Sequence, residues 1–375
     1  MKYRRFGRTE LNLSVFSLGL MRCCYNQETL QVTVAKAIAS GINHFEMARA
    51  YGKSETYLGQ ALQTLNVDRQ KIVLTTKFTP TEDNKEIEKW LTESLANLQV
   101  NYIDCVAIHG INTEQHLQMI TKSNSCLEIL QQAQKSGLIN HIGFSSHGSL
   151  DLIRKTIETN LFSFVNLHYY YFWQRNAPIL ELAKKHDLGI FIISPVDKGG
   201  QLYQPSEKLV TACRPFTPVD LNYRFLLNDR RISTLSLGAG TPPELDNALS
   251  IADNDGALTP EELASLSNIE KTLTQSLNTD QCSQCHQCLP CPENINIPEI
   301  LRLRNLGVGL EMTNYASYRY QILENAGHWF WGQKGDKCTE CGDCLPRCPE
   351  NLDIPSLLAD SHDRFNGRSR RRLWE

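Results

Sequence analysis

The sequence predicts an α/β protein, a (β/α)8 TIM barrel followed by a small, mainly helical, cysteine-rich domain. Three observations predict it. Short apolar runs alternate with helix-period segments through most of the chain, which argues for a parallel sheet with helices outside it. Three of the runs close on ionisable side chains: Ile42 to Phe45 leads to Glu46, with Tyr51 five residues on, while later runs lead to Lys77 and His109. Parallel strands would gather these four groups at one open face, as barrel active sites are built. Finally, eight of the 13 cysteines crowd between Cys282 and Cys348, whereas Cys23, Cys24, Cys105, Cys126 and Cys213 are scattered. The change of composition near Asn278 to Gln281 divides a barrel, residues 1–278, from a second domain, residues 279–375.

In order, the strand-like runs are Val15 to Leu18, Ile42 to Phe45, Ile72 to Thr76, Ile103 to Ile108, Ile139 to Phe144, Phe164 to Leu167, Ile190 to Ile193 and Ile232 to Leu237. Helical patterns cover Glu28 to Ser40, Ser54 to Leu65, Asn84 to Leu98, Ser125 to Ser136, Leu150 to Thr159 and Ala177 to His186. No Gly-x-Gly-x-x-Gly follows the first strand, which favours a closed barrel over a doubly wound open sheet.

With 375 residues, 41% hydrophobic and 21% charged, the chain has the composition of an ordinary globular protein. A net charge of −3 gives no electrostatic case for nucleic acid. The local basic tail of Arg368, Arg370, Arg371 and Arg372 reads as a solvated face. No apolar run approaches the roughly 20 residues of a membrane helix, and the N-terminal Met1-Lys-Tyr-Arg-Arg-Phe-Gly leads into no apolar signal segment. The expected location is cytoplasmic, with no membrane partner.

The opening Tyr3-Arg-Arg-Phe-Gly-Arg-Thr-Glu-Leu, the loop Tyr51-Gly-Lys-Ser-Glu, Lys77 and His109 resemble the start and the catalytic positions of the aldo/keto reductase family. The resemblance spans Met1 to about Thr274 and implies NAD(P)-dependent reduction of an aldehyde or ketone, or oxidation of the alcohol. Its catalytic positions fall on Tyr51, Lys77, His109 and Glu46, the last replacing the family's Asp. Chemistry supports the set. A tyrosine with a pKa near 10 releases its proton more readily beside an ammonium. Lys77 would be that ammonium, Glu46 its anchor, and His109 the group orienting the carbonyl while Tyr51 protonates its oxygen.

The nicotinamide site follows from the same resemblance. Gly143-Phe-Ser-Ser-His resembles Gly-x-Ser-Asn, so Ser145 and Ser146 would touch the carboxamide, and Asn166 stands where a Gln is usual. Ser194-Pro195 and Lys198-Gly199-Gly200 resemble the loop along the pyrophosphate, and Ile193 replaces an aromatic shelf. Gly238 to Asn247, with Thr241 between them, resembles the adenosine-binding stretch but lacks the arginine that commonly pairs with a 2′-phosphate. NADP is the implied cofactor, with NAD possible.

The second domain reads Cys282-x2-Cys285-x2-Cys288-x2-Cys291-Pro292 and later Cys338-x2-Cys341-x2-Cys344-x3-Cys348-Pro349. The second spacing is that of bacterial ferredoxins, and the first is one residue shorter. Triple Cys-x2-Cys runs favour iron and sulfur over zinc, which uses paired knuckles, and a reducing compartment disfavours disulfides. Two [4Fe-4S] clusters are expected. With the ligand exchange usual in two-cluster ferredoxins, one takes Cys282, Cys285, Cys288 and Cys348, and the other Cys338, Cys341, Cys344 and Cys291. Helix-like stretches at Pro298 to Leu306 and Ala316 to Asn325 make the region resemble helical ferredoxin-type domains, found in one branch of aldo/keto reductases.

Two functions compete. One is a carbonyl reductase acting on a small carbonyl or alcohol substrate, with the clusters as docking domain, sensor or route to a one-electron redox protein. The other is an iron–sulfur electron-transfer or regulatory protein with a catalytically weakened barrel. Retention of Tyr51, Lys77 and His109 favours the first. No stretch resembles a flavin site, so hydride chemistry and one-electron chemistry are expected to run separately.

Overall fold

The computed structural model describes residues 1–368 and residue 370. Its strands are β1 (Tyr3–Arg5), β2 (Asn12–Ser14), β3 (Phe16–Gly19), β4 (His44–Glu46), β5 (Val73–Phe78), β6 (Ile103–Ile108), β7 (Ile139–Ser145), β8 (Phe164–Leu167), β9 (Gly189–Ile192) and β10 (Thr234–Leu237). Strands β3 to β10 form a closed parallel barrel in the order β10-β3-β4-β5-β6-β7-β8-β9. The expected (β/α)8 barrel is therefore present. Two strands start later than their apolar runs, because the first residues finish the preceding turn. Ile42 N–H donates to Ala37 O after the helix Gln27–Ala39, and Ile232 N–H donates to Asp229 O.

A hairpin that hydrophobic periodicity did not reveal, β1 paired antiparallel with β2, closes the end of the barrel where the strands begin. Phe6, fully buried, lies beyond β1 with its ring centroid 5.3 Å from that of Phe164, the first residue of β8. Gly189, the first residue of β9, leaves the space: a Cβ there would stand 2.3 Å from the Phe6 ring. Leu13, Val73, Cys105, Ala107 and Phe191 complete this apolar plug. Active-site chemistry is thereby confined to the opposite end.

By compactness the chain divides into two units, Met1–Gly199 with Asn222–Ala257, and Gly200–Leu221 with Leu258 onward. The second unit includes the helices Glu207–Cys213 and Pro260–Leu277, the latter started by a capping box between Thr259 and Glu262. In its cysteine-rich part the helices are Ile297–Arg304 and Thr313–Ile322, with a π-helical turn at Asn305–Gly309 that ends the first of them early. A third, Ile354–Phe365, was not anticipated, although Asp353 caps it and Pro355 stands in its first turn. Arg368 is exposed, while Arg370 donates to the Gln321 backbone at 3.1 Å and its side chain at 2.9 Å. Arg371 and Arg372 lie outside the described residues. Among the described residues no helix is long and apolar enough to cross a membrane.

Candidate active site and cysteine sites

Lys77 is the centre of the barrel's open end. It lies on β5, two residues beyond Thr75, which pairs with Glu46 at the end of β4, so the period of two turns both side chains inward. Its Nζ, on a side chain 1% exposed, contacts the Glu46 carboxylate and donates to Met47 O at 2.9 Å and Tyr51 Oη at 3.3 Å. An ammonium has three hydrogens, and these three acceptors match them. Burial pushes the Lys77 pKa well below the usual lysine range, and Glu46 supplies the countercharge. Tyr51 is set by the turn after β4, where its N–H donates to Ala48 O and Gly52 takes a φ of +53°. His109 follows β6, its N–H bonded to Phe78 O at 2.7 Å, and its ring stands edge-on to Tyr51 with centroids 5.7 Å apart. The four residues named from the sequence meet in one place.

One layer deeper, His44 bridges Ser17 through Nδ1 at 2.6 Å and Thr75 through Nε2 at 2.7 Å. Ser17 reaches Thr234 at 2.6 Å, and Thr234 donates to Ser14 O at 2.8 Å. That terminal carbonyl can only accept, so Thr234 receives from Ser17, Ser17 from His44 Nδ1–H, and Nε2 accepts from Thr75. The histidine is therefore neutral, in keeping with a pKa lowered to about 3 by burial first and by the Lys77 charge second.

Of the residues assigned to the nicotinamide cofactor, some lie at the carboxyl ends of barrel strands and others beyond them. Ser145 ends β7 and pairs in register with Asn166 of β8. Asn166 is fully buried, yet neither Oδ1 nor Nδ2 has a hydrogen-bond partner. A buried amide with both functions open fits a ligand carboxamide, which offers one acceptor and two donors. Ser145 Oγ accepts from Gly110 N–H at 3.0 Å. Ser146 instead stitches two loops, donating to Ile111 O at 2.5 Å and accepting from Gly148 N–H at 3.0 Å. Ser194, at φ +53°, opens the turn after β9, and a Cβ on Gly199 would lie 1.9 Å from Pro195 O. Gly200 belongs to the second unit, where it faces Leu202 and Met312. Gly238 and Thr241 lie in the loop after β10, and Asn247 is exposed on the helix Asp246–Ile251.

Arg22 escaped the sequence reading. From the loop after β3 it donates to Gly238 O at 2.7 Å and pairs with Glu244 at 2.6 Å, so a guanidinium does reach the adenosine-like stretch, supplied by a distant part of the chain. His147 and His168 also went unnoticed. They follow β7 and β8, and His147 Nδ1 lies 3.0 Å from His168 Nε2.

The eight clustered cysteines separate around two hollows. One is lined by Cys282, Cys285, Cys288 and Cys348, with Pro298, Leu301 and Ile354. The other is lined by Cys338, Cys341, Cys344 and Cys291, with Ile297 and Leu358. Each hollow thus draws three thiols from one motif and the fourth from the other, a donor set that fits a cubane.

Comparison with known proteins accords with both regions. The model of the aldo/keto reductase family matches residues 16–271, and that of the 4Fe-4S dicluster domain matches residues 281–352. Relatives include an uncharacterized oxidoreductase of Bacillus subtilis, 23% identical over 62% of this chain and 76% of the relative. L-galactose dehydrogenase of Arabidopsis thaliana is 24% identical over 73% of this chain and 93% of its own length. Methylglyoxal reductase of Escherichia coli is 31% identical over 40% of this chain and 54% of its own. Among solved structures, the holo form of an aldo-keto reductase from Bacillus halodurans superposes with a TM-score of 0.62 at 20% identity, covering 71% of this chain and 95% of that one, a likeness of fold. This chain belongs to the aldo/keto reductase family and is an oxidoreductase with a 4Fe-4S dicluster region after its barrel.

Proposed function

We propose that the enzyme reduces a small aldehyde or ketone with NADPH. The observation that carries this reading is the three-way donation of Lys77 to Glu46, Met47 and Tyr51. Because Lys77 donates to the phenolic oxygen, that oxygen's own hydrogen is directed elsewhere, and the ammonium stabilises the phenolate left when the hydrogen departs. Tyr51 then gives its proton to the substrate oxygen, and His109, edge-on to its ring, orients that oxygen. Glu46 holds Lys77 at the required height. Asn166 and Ser145 bind the carboxamide and so set which face of the nicotinamide is presented. When bound, the nicotinamide supplies the hydride to the carbonyl carbon. Arg22 brings a guanidinium to the Gly238 loop, and that charge supports NADPH over NADH.

Residues 1–278 act as the reductase part in this reading, and residues 279–375 hold two [4Fe-4S] clusters in the crossed cysteine sets. The clusters supply one-electron storage for an external redox protein and stand apart from carbonyl reduction. A cytoplasmic location suits the reduced thiols and oxygen-sensitive clusters.

The test is an anaerobic screen of NADPH oxidation against small aldehydes, ketones and quinones, with Tyr51→Phe alongside. The variant should lose roughly 10²- to 10⁴-fold in turnover, as general-acid loss does, with NADPH binding little changed. Full turnover in Tyr51→Phe would sink the assignment.

A further inference from the structure

The two cysteine motifs occupy similar settings but differ in chemistry. Gln284 and Glu340 are the second residues between the first two cysteines of each, and both have a left-handed backbone, with φ of +61° and +55°. One is an amide and the other a carboxylate of the same length. Gln287 and Asp343 repeat the contrast before the third cysteine.

Gln284 Nε2 lies 3.3 Å from Cys282 Sγ and 3.2 Å from Pro298 O. The Pro298 carbonyl only accepts, so the amide nitrogen faces it, and the same group is the one that reaches the sulfur. A ligand sulfur gains negative charge when its cluster is reduced, so an N–H donor there favours the reduced state. Glu340 has no hydrogen to give when ionised, and its charge opposes an arriving electron. The charged linings of the two hollows do not decide the order, since each holds carboxylates. The hollow of Cys338 is lined by Glu293 and Asp343 against Arg347, and Thr339 donates to Glu293 at 3.3 Å. Arg347 is tied to Asp343 O at 2.7 Å and Pro290 O at 3.0 Å. The hollow of Cys282 has Glu350 and His286. Since Glu340 and Asp343 are exposed, water and salt screen them, and the direct contact of Gln284 carries the larger share.

We propose that the two clusters differ in reduction potential, the one on Cys282, Cys285, Cys288 and Cys348 being the more easily reduced, and that Gln284 and Glu340 set the difference. Electrons supplied one at a time then fill the Cys282 cluster first and leave the Cys338 cluster first. This rests on the two-cluster reading above.

The experiment is a potentiometric titration of the full-length, anaerobically isolated chain with dithionite as reductant, followed by electron paramagnetic resonance at fixed pH. Coulombic coupling alone splits even two identical clusters, so the readout is which step each variant moves. Gln284→Glu should shift the more positive step to lower potential by about 59 mV or more, the equivalent of tenfold in a one-electron equilibrium. Glu340→Gln, at an exposed side chain, should raise the more negative step and leave the other. Movement of the opposite step, or no movement in either variant with iron unchanged, overturns the assignment. Wild-type protein with well under about eight iron and eight sulfide per chain overturns the two-cluster reading itself, a failure that the metal analysis identifies separately.

Discussion

Gly19 and Glu46 are fitted to one another at the ends of adjacent strands. They are register partners between β3 and β4, and a Cβ on Gly19 would stand 3.3 Å from Glu46 Oε2 and 2.6 Å from Ser236 Oγ. The missing side chain is the room into which the longer carboxylate extends while still meeting Lys77.

Gly19→Ala should therefore press on Glu46 and Ser236, costing about 1–3 kcal/mol of stability, as overpacking does, and lowering kcat. Glu46→Asp alone should retain substantial activity, Glu46→Gln should lose much of it, and Gly19→Ala combined with Glu46→Asp should be less impaired than Gly19→Ala. Thermal melts and steady-state rates check all four. Equal damage in the single and double variants would show that Gly19 acts independently of Glu46.

His44 makes acid stability predictable in sign. Its pKa is lowered to about 3 in the folded chain, against about 6.5 when unfolded, so on acidification the unfolded state binds a proton first. Stability should fall from about pH 6.5 downward, with a His44 contribution of up to ~1.4 kcal/mol per pH unit, until the folded histidine titrates near pH 3. His44→Gln should flatten that slope in urea titrations across this range. An unchanged slope would mean that other groups govern acid unfolding.

Arg22 bears on the choice of dinucleotide. Arg22→Ala should raise the KM for NADPH roughly tenfold, the ~1.4 kcal/mol of a modest charge-assisted bond, and change that for NADH little. Glu244→Gln, by releasing the guanidinium, should lower the KM for NADPH. Parallel changes with both dinucleotides would assign Arg22 to holding the Gly238 loop.

Separation of hydride and one-electron chemistry predicts that NADPH, added anaerobically to the oxidised full-length chain, leaves the visible absorbance of the clusters unchanged on the timescale of turnover. Rapid bleaching without added flavin would make the clusters part of the catalytic cycle.

Sequence alone made the barrel legible, because eight apolar runs alternating with helix-period segments have few other ways to bury both faces of a sheet. It also determined the cysteine motifs, whose spacing is local chemistry, and the strand-end positions of Glu46, Lys77 and His109. Tertiary structure decided what depends on register and on distant parts of the chain. The β1–β2 hairpin has strands too short for a periodic signal, and Phe6 acquires its place only where Gly189 leaves a gap. Arg22 reaches Gly238 across more than 200 residues of sequence, and Ser17, His44, Thr75 and Thr234 form a chain only because closure of the barrel brings β10 beside β3. Ser146 and Asn166 look alike as small polar residues near strand ends. One has its hydroxyl committed to two loops and the other keeps a buried amide open, since Asn166 is in register with Ser145, and Ser146, one residue beyond the end of β7, meets different neighbours.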